Sequence, residues 1–275
     1  MKGDQKTLLQ MARDIRKSIL RVAYLAPSDG VHISPALSLV DILTALYGTK
    51  LRYEPHDITN TERDTFILSK GHGALGLYAA LCEFGIISRD VLDSFEINGS
   101  PLQVHPTKCH ELGIDFSSGS LAQGLAFGIG LTLSRRLKKQ PWHAYILVGD
   151  GECNEGAIWE GAFFAAHQKL DTLTVIVDRN GLQSDGFTLE IINLDIPALW
   201  RACGWEVVEC DGNDLDALLV ALDAPHNGKP KAIVAHTVKG KGVSFMENNK
   251  EYHRNRLSEQ QYHAAMDELN GEMSC

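Results

Sequence analysis

The 275-residue chain reads as an α/β protein, a parallel sheet sandwiched by helices in a single domain spanning residues 1–275. Three observations predict this. Short apolar runs (Thr65 to Leu68, Tyr145 to Val148, Leu173 to Val177, Trp205 to Val208, Ala232 to Ala235) alternate with segments of helical periodicity. Two of these runs end in chemistry-bearing residues, Gly149-Asp150-Gly151 and Asp178-Arg179-Asn180, with a helical pattern between them. No internal repeat, low-complexity tract or linker divides the chain. In an open α/β sheet, ligands bind outside the carboxyl ends of the strands, so Asp150 and Asn180 are expected to be neighbours in space.

The elements follow in order. Leu8, Leu9, Ala12, Ile15, Ile19 and Val22 recur at helical spacing and predict an amphipathic helix over 7–26, broken by Pro27-Ser28-Asp29-Gly30. Ser34 as N-cap and Pro35 at the first helical position open a second helix through Tyr47, placing His32 just before a helix start. A lone His there is ordinarily a satisfied surface or core residue. The strand at Thr65 turns through Ser69-Lys70-Gly71-His72-Gly73 into a helix carrying Leu77, Leu81 and Phe84. His72, flanked by glycines, either caps the turn or approaches a phosphate or reacting carbon. The loop 101–110 exposes His105-Pro106. Ser117 to Gly124 opens a long helix to Leu137, whose Gly124, Gly128 and Gly130 fit close helix packing or close approach of a ligand. Asp211 to Asp214 caps a helix over 215–222, and Lys239-Gly240-Lys241-Gly242 is a mobile basic loop, either a solvated turn or a lid over a phosphate. A helix with polar faces over 258–269 ends the pattern.

Composition narrows the function. The net charge of −9 (26 basic against 35 acidic residues) and the lack of a basic block argue against nucleic acid and anionic membrane surfaces. Six scattered cysteines without Cys-x-x-Cys or zinc-like spacing, and no signal peptide, read as a reduced, cytoplasmic protein. At the two strand ends, one carboxylate, one amide oxygen and a nearby backbone carbonyl make a hard, oxygen-only, incomplete ligand set. Mg²⁺ takes six oxygens and usually shares them between one or two protein carboxylates and substrate phosphates. The pair Asp150 and Asn180 therefore reads as half of a metal–diphosphate clamp. Gly149 and Gly151 permit a tight turn, and the helix starting near Glu155 adds amide groups towards the same negative charge. Gly-Asp-Gly by itself is no more than a strand-end turn.

Gly149-Asp150-Gly151 followed after about thirty residues by Asn180 resembles the thiamine-diphosphate fingerprint. From about Leu20 to His253 the chain is similar to the amino-terminal half of transketolases, in the form split over two chains. The resemblance implies the diphosphate-binding domain of the thiamine-diphosphate fold and two-carbon ketol transfer from a ketose or ketose phosphate to an aldose. It implies Asp150, Asn180 and the carbonyl of Leu182 as ligands of Mg²⁺, or of Ca²⁺ or Mn²⁺ in its place. Gly149, Gly151, Gly119, Ser120, Leu121, His72 and Glu155 are implied to hold the cofactor, with Ser120 in place of a common proline. His32, His72, His105, His253 and Glu155 become the candidate catalytic groups, and Glu155 and Glu160 are placed at a subunit interface. The apolar setting Ala157 to Phe164 predicts a helix buried on two sides.

This sequence departs from the family at Ile33-Ser34-Pro35, where glycines are usual, and at Arg254, a bidentate anion donor where the family has glycine. The glutamate that contacts the aminopyrimidine belongs to a pyrimidine-binding domain expected on a separate carboxy-terminal subunit, with two copies of each chain (α2β2). Alternatives are another split thiamine carboligase, of deoxyxylulose-phosphate-synthase-like or specialised sugar-modifying type, and a non-catalytic scaffold homologue. Pyruvate-dehydrogenase-type α subunits share the metal motif but fit the His72 and Gly119-Ser120-Leu121 contexts less well.

Overall fold

A computed structural model describes residues 5–140 and 142–271. Five strands, β1 (Thr65–Leu68), β2 (Ala144–Gly149), β3 (Leu173–Arg179), β4 (Glu206–Asp211) and β5 (Lys231–His236), form one sheet in the order β1-β2-β3-β5-β4. Every neighbouring pair is parallel. The helices are α1 (Gln5–Leu25), α2 (Ser34–Leu37), α3 (Val40–Ala45), α4 (Ala74–Glu83), α5 (Arg89–Asp93), α6 (Gln123–Leu137), α7 (Gly156–His167), α8 (Thr188–Ile191), α9 (Ile196–Ala202), α10 (Leu215–Asp223) and α11 (Glu259–Gly271).

Side chains of a strand alternate between faces, and here both faces are covered, which is why the strands read as unbroken apolar runs. Leu147, Ile176 and Ile233 pack with Ile15, Ile19, Leu43 and Leu218 of α1, α3 and α10. Ile146, Val148, Val175 and Val177 pack on the other side with Leu125, Ile158, Ala162 and Trp200 of α6, α7 and α9. The expected helix-covered parallel sheet is present. In register, Gly149 lies opposite Asp178 and Arg179 opposite His236, so the carboxyl ends of β2, β3 and β5 form one ledge.

Several local expectations differ. Ser34 is the first residue of α2 and not its cap: Ile33 holds the N-cap position without a side-chain bond, and Ser34 is buried with its hydroxyl unpaired. Ser38 bonds the Asp178 carboxylate at 2.6 Å, and Leu39 then leaves helical geometry, so α2 and α3 are separate. Helix α6 starts at Gln123, because Ala122 stands in the left-handed region (φ 67°) with its amide bound to Glu152. Pro106 is buried and His105 half-buried, against the expectation that both are exposed. Helix α7 buries only one face, through Ile158, Ala162 and Ala165, and leaves Phe163 59% and Phe164 46% exposed. Leu9 also faces outward, off the buried stripe of α1, while α11 carries Ala265 and Leu269 inward against it. The predicted cap of α10 is in place, Asp214 accepting from the amides of Asp216 and Ala217.

The helical glycines of α6 separate into two kinds. A Cβ on Gly128 would lie 2.4 Å from Cδ1 of Ile146 on β2, whereas one on Gly130 meets nothing within 4 Å. Gly128→Ala is expected to destabilise the chain by about 1–3 kcal/mol through overpacking, outweighing the helix propensity that Ala adds. Gly130→Ala is expected to stabilise it by up to about 1 kcal/mol. Urea unfolding of the two variants beside the parent chain checks both signs.

Candidate active site

The ledge brings the distant motifs together. Asp150 follows the last residue of β2, and its amide donates to the carbonyl of Asp178 at 3.2 Å. Its carboxylate accepts from the amide of Gly151 at 2.8 Å and from that of Gly181 at 2.6 Å, which ties the β2 end to the loop after β3. Burial, with Asp178 nearby, pushes the Asp150 carboxyl up to about 6 against the pull of these two amides. Asn180 accepts from the amide of Leu182 at 3.1 Å and donates to Asp178 at 3.2 Å. Asp150, Asn180 and Leu182 thus border the same cavity, as the sequence predicts.

Under them lies a buried ion pair that the sequence motifs did not mark. Lys70, at the end of β1, donates to the Asp178 carboxylate, with the lysine side chain 1% exposed and the aspartate closed off entirely. Ser38 and Thr237 donate to the same carboxylate. Burial alone would raise the Asp178 pKa, but Lys70 and the two hydroxyls outweigh it and hold the group below the usual carboxylate range.

Lys239 is a second buried cation, where the sequence predicts a mobile basic loop at Lys239 to Gly242. Its loop is packed in: Lys239 is 2% exposed, and its ammonium donates to the carbonyl of Leu182 at 2.8 Å. Gly240 has φ +85°, and a Cβ there would sit 2.4 Å from the carbonyl oxygen of Met246, so the turn is fixed. Burial, reinforced by Lys70, lowers the Lys239 pKa to about 8. Because lysines are ordinarily solvated, only their place beside the strand ends signals such a role.

The four predicted histidines converge on this cavity of about 280 Å³ from loops far apart in sequence. Ring centroids are 5.9 Å apart for His32 and His72, 5.9 Å for His32 and His105, 5.4 Å for His32 and His253, and 5.3 Å for His72 and His253. A two-residue pairing of Val31 with Asn255 brings the His32 and His253 segments side by side. Burial, helped by surrounding cationic groups, lowers His32 to about 4 and His253 to about 3, and drives His72 well below the ordinary range. Gly119, Leu121, Gly149 and Gly151 line the same space. Gly119, at φ +147°, faces the ring of His105. Ser120, Glu155 and Glu160 are exposed, and none of the three borders the cavity.

The lining fits an anionic, hydrogen-bonding ligand with a hard cation. Nδ1 of His32, Nδ1 of His253 and Nε2 of Gln183 are buried without partners, an arrangement that is costly unless a ligand satisfies them. Lys70, paired with Asp178, and Lys239 add two cationic side chains to the lining. The carboxylate of Asp150, the amide oxygen of Asn180 and the carbonyl of Leu182 suit Mg²⁺, which leaves further positions for phosphate and water. Among the described residues no group of three or more His, Cys, Asp or Glu gathers as a metal cage.

Comparison with known proteins gives this geometry a family. Residues 10–272 match the thiamine-diphosphate-binding domain of transketolase. The chain belongs to that family. It is 40% identical over 267 residues to an apulose-4-phosphate transketolase subunit from Actinobacillus succinogenes, covering 96% of each chain. It is 39% identical over 244 residues to the 6-deoxy-6-sulfo-D-fructose transketolase subunit of a Clostridium species, covering 88% of this chain and 89% of that one. Against the transketolase of Campylobacter jejuni the TM-score is 0.86 at 25% identity, over 95% of this chain and 43% of that structure. The Leishmania mexicana transketolase shares the fold at a TM-score of 0.86 and 24% identity, over 98% of this chain and 42% of that one. The chain is thus a transketolase-type, thiamine-diphosphate-binding subunit, spanning less than half of the single-chain transketolases and nearly all of the subunit relatives.

The histidines set a pH dependence. An unfolded imidazole titrates near pH 6.5, while His32 and His253 in the folded chain titrate at about 4 and about 3. Below pH 6.5 the unfolded chain binds more protons, so their contribution is complete above that pH and is lost as pH falls towards 4. The ¹⁵N shifts of both rings at pH 5 are expected to be those of neutral imidazole. Replacing both by Asn should flatten the loss of unfolding free energy between pH 6.5 and 4.5.

Proposed function

We propose that this chain is the diphosphate-binding subunit of a two-chain transketolase, moving a two-carbon ketol unit from a ketose to an aldose with thiamine diphosphate and Mg²⁺. The observation that carries the reading is one cavity bordered by Asp150, Asn180 and Leu182, by two buried lysines, and by four imidazoles. Asp150, Asn180 and the Leu182 carbonyl would hold the metal, and Ca²⁺ or Mn²⁺ suits the same oxygens. Lys70 and Lys239 would balance the diphosphate charge. Thiamine diphosphate, when bound, supplies the nucleophilic carbon and the electron sink for breaking the C–C bond. His32, His72, His105 and His253 orient the sugar hydroxyls and accept or return their protons; as neutral imidazoles His32, His72 and His253 are ready to accept one.

A partner completes the site. The relatives covered almost end to end carry the word subunit in their names. A carboxy-terminal subunit with the pyrimidine-binding domain, assembled as α2β2, would supply the missing wall. The exposed Phe163, Phe164 and Phe127, with Glu155 and Glu160 on or beside α7, fit a surface buried in that assembly, where Glu155 meets the paired active site. All five described cysteines are free, which suits a cytoplasmic protein, and no described helix is long and apolar enough to cross a membrane.

A specialised sugar is favoured over the common pentose phosphates as substrate. Two relatives covered almost end to end are named for apulose 4-phosphate and 6-deoxy-6-sulfo-D-fructose, which points to such sugars. The exposed Arg254 beside His253 offers a guanidinium to their phosphate or sulfonate, as it would to any ketose phosphate. Titration calorimetry with Mg²⁺ and thiamine diphosphate should show binding by the chain, strengthened by a carboxy-terminal transketolase subunit. Asp150→Asn should weaken it on the order of 100-fold. Binding in neither state would favour a scaffold role. Turnover of xylulose 5-phosphate with ribose 5-phosphate, exceeding that of every branched or sulfonated ketose tried, would remove the specialised-sugar reading.

A further inference from the structure

Glu152 sits one residue past the Gly-Asp-Gly turn and is almost entirely buried. Neither the metal set nor the imidazoles use it, yet its carboxylate gathers a donor from the end of β2, just before it, and one from each of two remote segments. The hydroxyl of Ser69 and the amide of Ala122, at 2.7 Å, both reach Oε1. The amide of Gly149 reaches Oε2 at 3.0 Å. Each donor stands next to a cavity residue: Ser69 precedes Lys70 and His72, Ala122 follows Gly119 and Leu121, and Gly149 precedes Asp150.

The chemistry of that convergence is selective. An ionised carboxylate is acceptor-only and meets all three donors. A glutamine or a protonated carboxyl has a donor on one of its two heads, which must face an N–H or leave one without a partner. Ala122 is held at φ 67°, a conformation that an L side chain rarely adopts, so its amide bond to Glu152 accompanies a backbone that would otherwise relax. Burial raises the Glu152 pKa, and the three donors work against the rise. On the same side, Gly124 of α6 lies so close to Ser69 that a Cβ would come within 2.5 Å of it, leaving these loops little room to shift separately.

We propose that Glu152 is a positioning residue of the cofactor site, its carboxylate, held by three donors, locking into one register the segments that carry Lys70 and His72, Gly119 and Leu121, and Asp150. Glu152 itself borders the cavity, and in this role it acts through the groups it aligns. The inference rests on the thiamine-diphosphate reading above. Supporting groups of this kind typically change affinity or activity by about 10–100-fold when removed.

The test compares Glu152→Gln, Glu152→Asp and Ser69→Ala with the parent chain by titration with Mg²⁺–thiamine diphosphate, in whichever state, alone or with the partner subunit, the parent binds. Titrations run at 10 °C, far below the unfolding midpoints, which are measured in parallel. Glu152→Gln is expected to bind at least about tenfold more weakly while still folded. Its Ala122 and Gly149 amide proton resonances should move upfield before any cofactor is added, as they lose a charged acceptor. Glu152→Asp keeps the charge but is one methylene too short to reach all three donors, and Ser69→Ala removes only one donor; both should show smaller losses of the same sign. A lower midpoint with affinity within twofold of the parent would mean a purely structural role and overturn the proposal. If Glu152→Gln does not fold, Ser69→Ala and Glu152→Asp decide it, and parent-like affinity in both overturns it. A parent chain that binds in neither state sinks the thiamine-diphosphate reading and this one with it.

Discussion

The ion pair between Lys70 and Asp178 is the constraint on which this end of the molecule depends. Two opposite charges taken wholly out of water are tolerable only when every remaining lone pair and proton is matched. Here Ser38 at the end of α2, Thr237 after β5 and Asn180 after β3 complete the shell of Asp178, while Lys70 comes just after β1 and also donates to the carbonyl of Pro35. One carboxylate thereby fixes the exits of three strands and the first turn of α2. Losing either charge would leave the other buried and uncompensated, a cost of about 3–5 kcal/mol. Such an arrangement gives precise geometry where a ligand must be gripped, at the expense of stability that an apolar core would provide more simply.

Above that pair the cavity is arranged for an anion. Burial, reinforced by neighbouring cationic groups that include the two ammonium groups lining the cavity, keeps His32, His72 and His253 neutral. A neutral imidazole is both donor and acceptor, which a protonated one is not. The polarity of the pocket is thus divided between buried cationic side chains and uncharged rings that can both donate and accept. On the reading proposed above, the first would meet phosphate, the second the sugar, and the neighbouring oxygens a hard cation.

Much of this was legible before any coordinates. The parallel sheet follows from apolar runs without alternation, and the meeting of Asp150 with Asn180 follows from their places at adjacent strand ends. The family resemblance pointed to all four histidines. What stayed hidden has physical reasons. Lys70 and Lys239 belong to a residue type that is nearly always solvated, and burial of a lysine depends on a partner from a remote segment. Ser34 looks like an N-cap because its neighbour is proline, but the cap position is set by how Ser38 is drawn to Asp178. Helix α7 reads as buried on two sides because its residues are apolar, yet within this chain only one side has anything to pack against; Phe163 and Phe164 face outward. Glu155 and Ser120 carry meaning only through the family, and this chain by itself leaves both on its surface.

The bond from Lys239 to the Leu182 carbonyl has a consequence for how the site fills. A carbonyl oxygen carries two lone pairs, so this bond leaves one of them facing outward, and the ammonium also reaches the carbonyl of Gln183. On the reading proposed above, a divalent ion held by that oxygen would lie beside a buried monovalent charge, and a pyrophosphate entering with it would offset both.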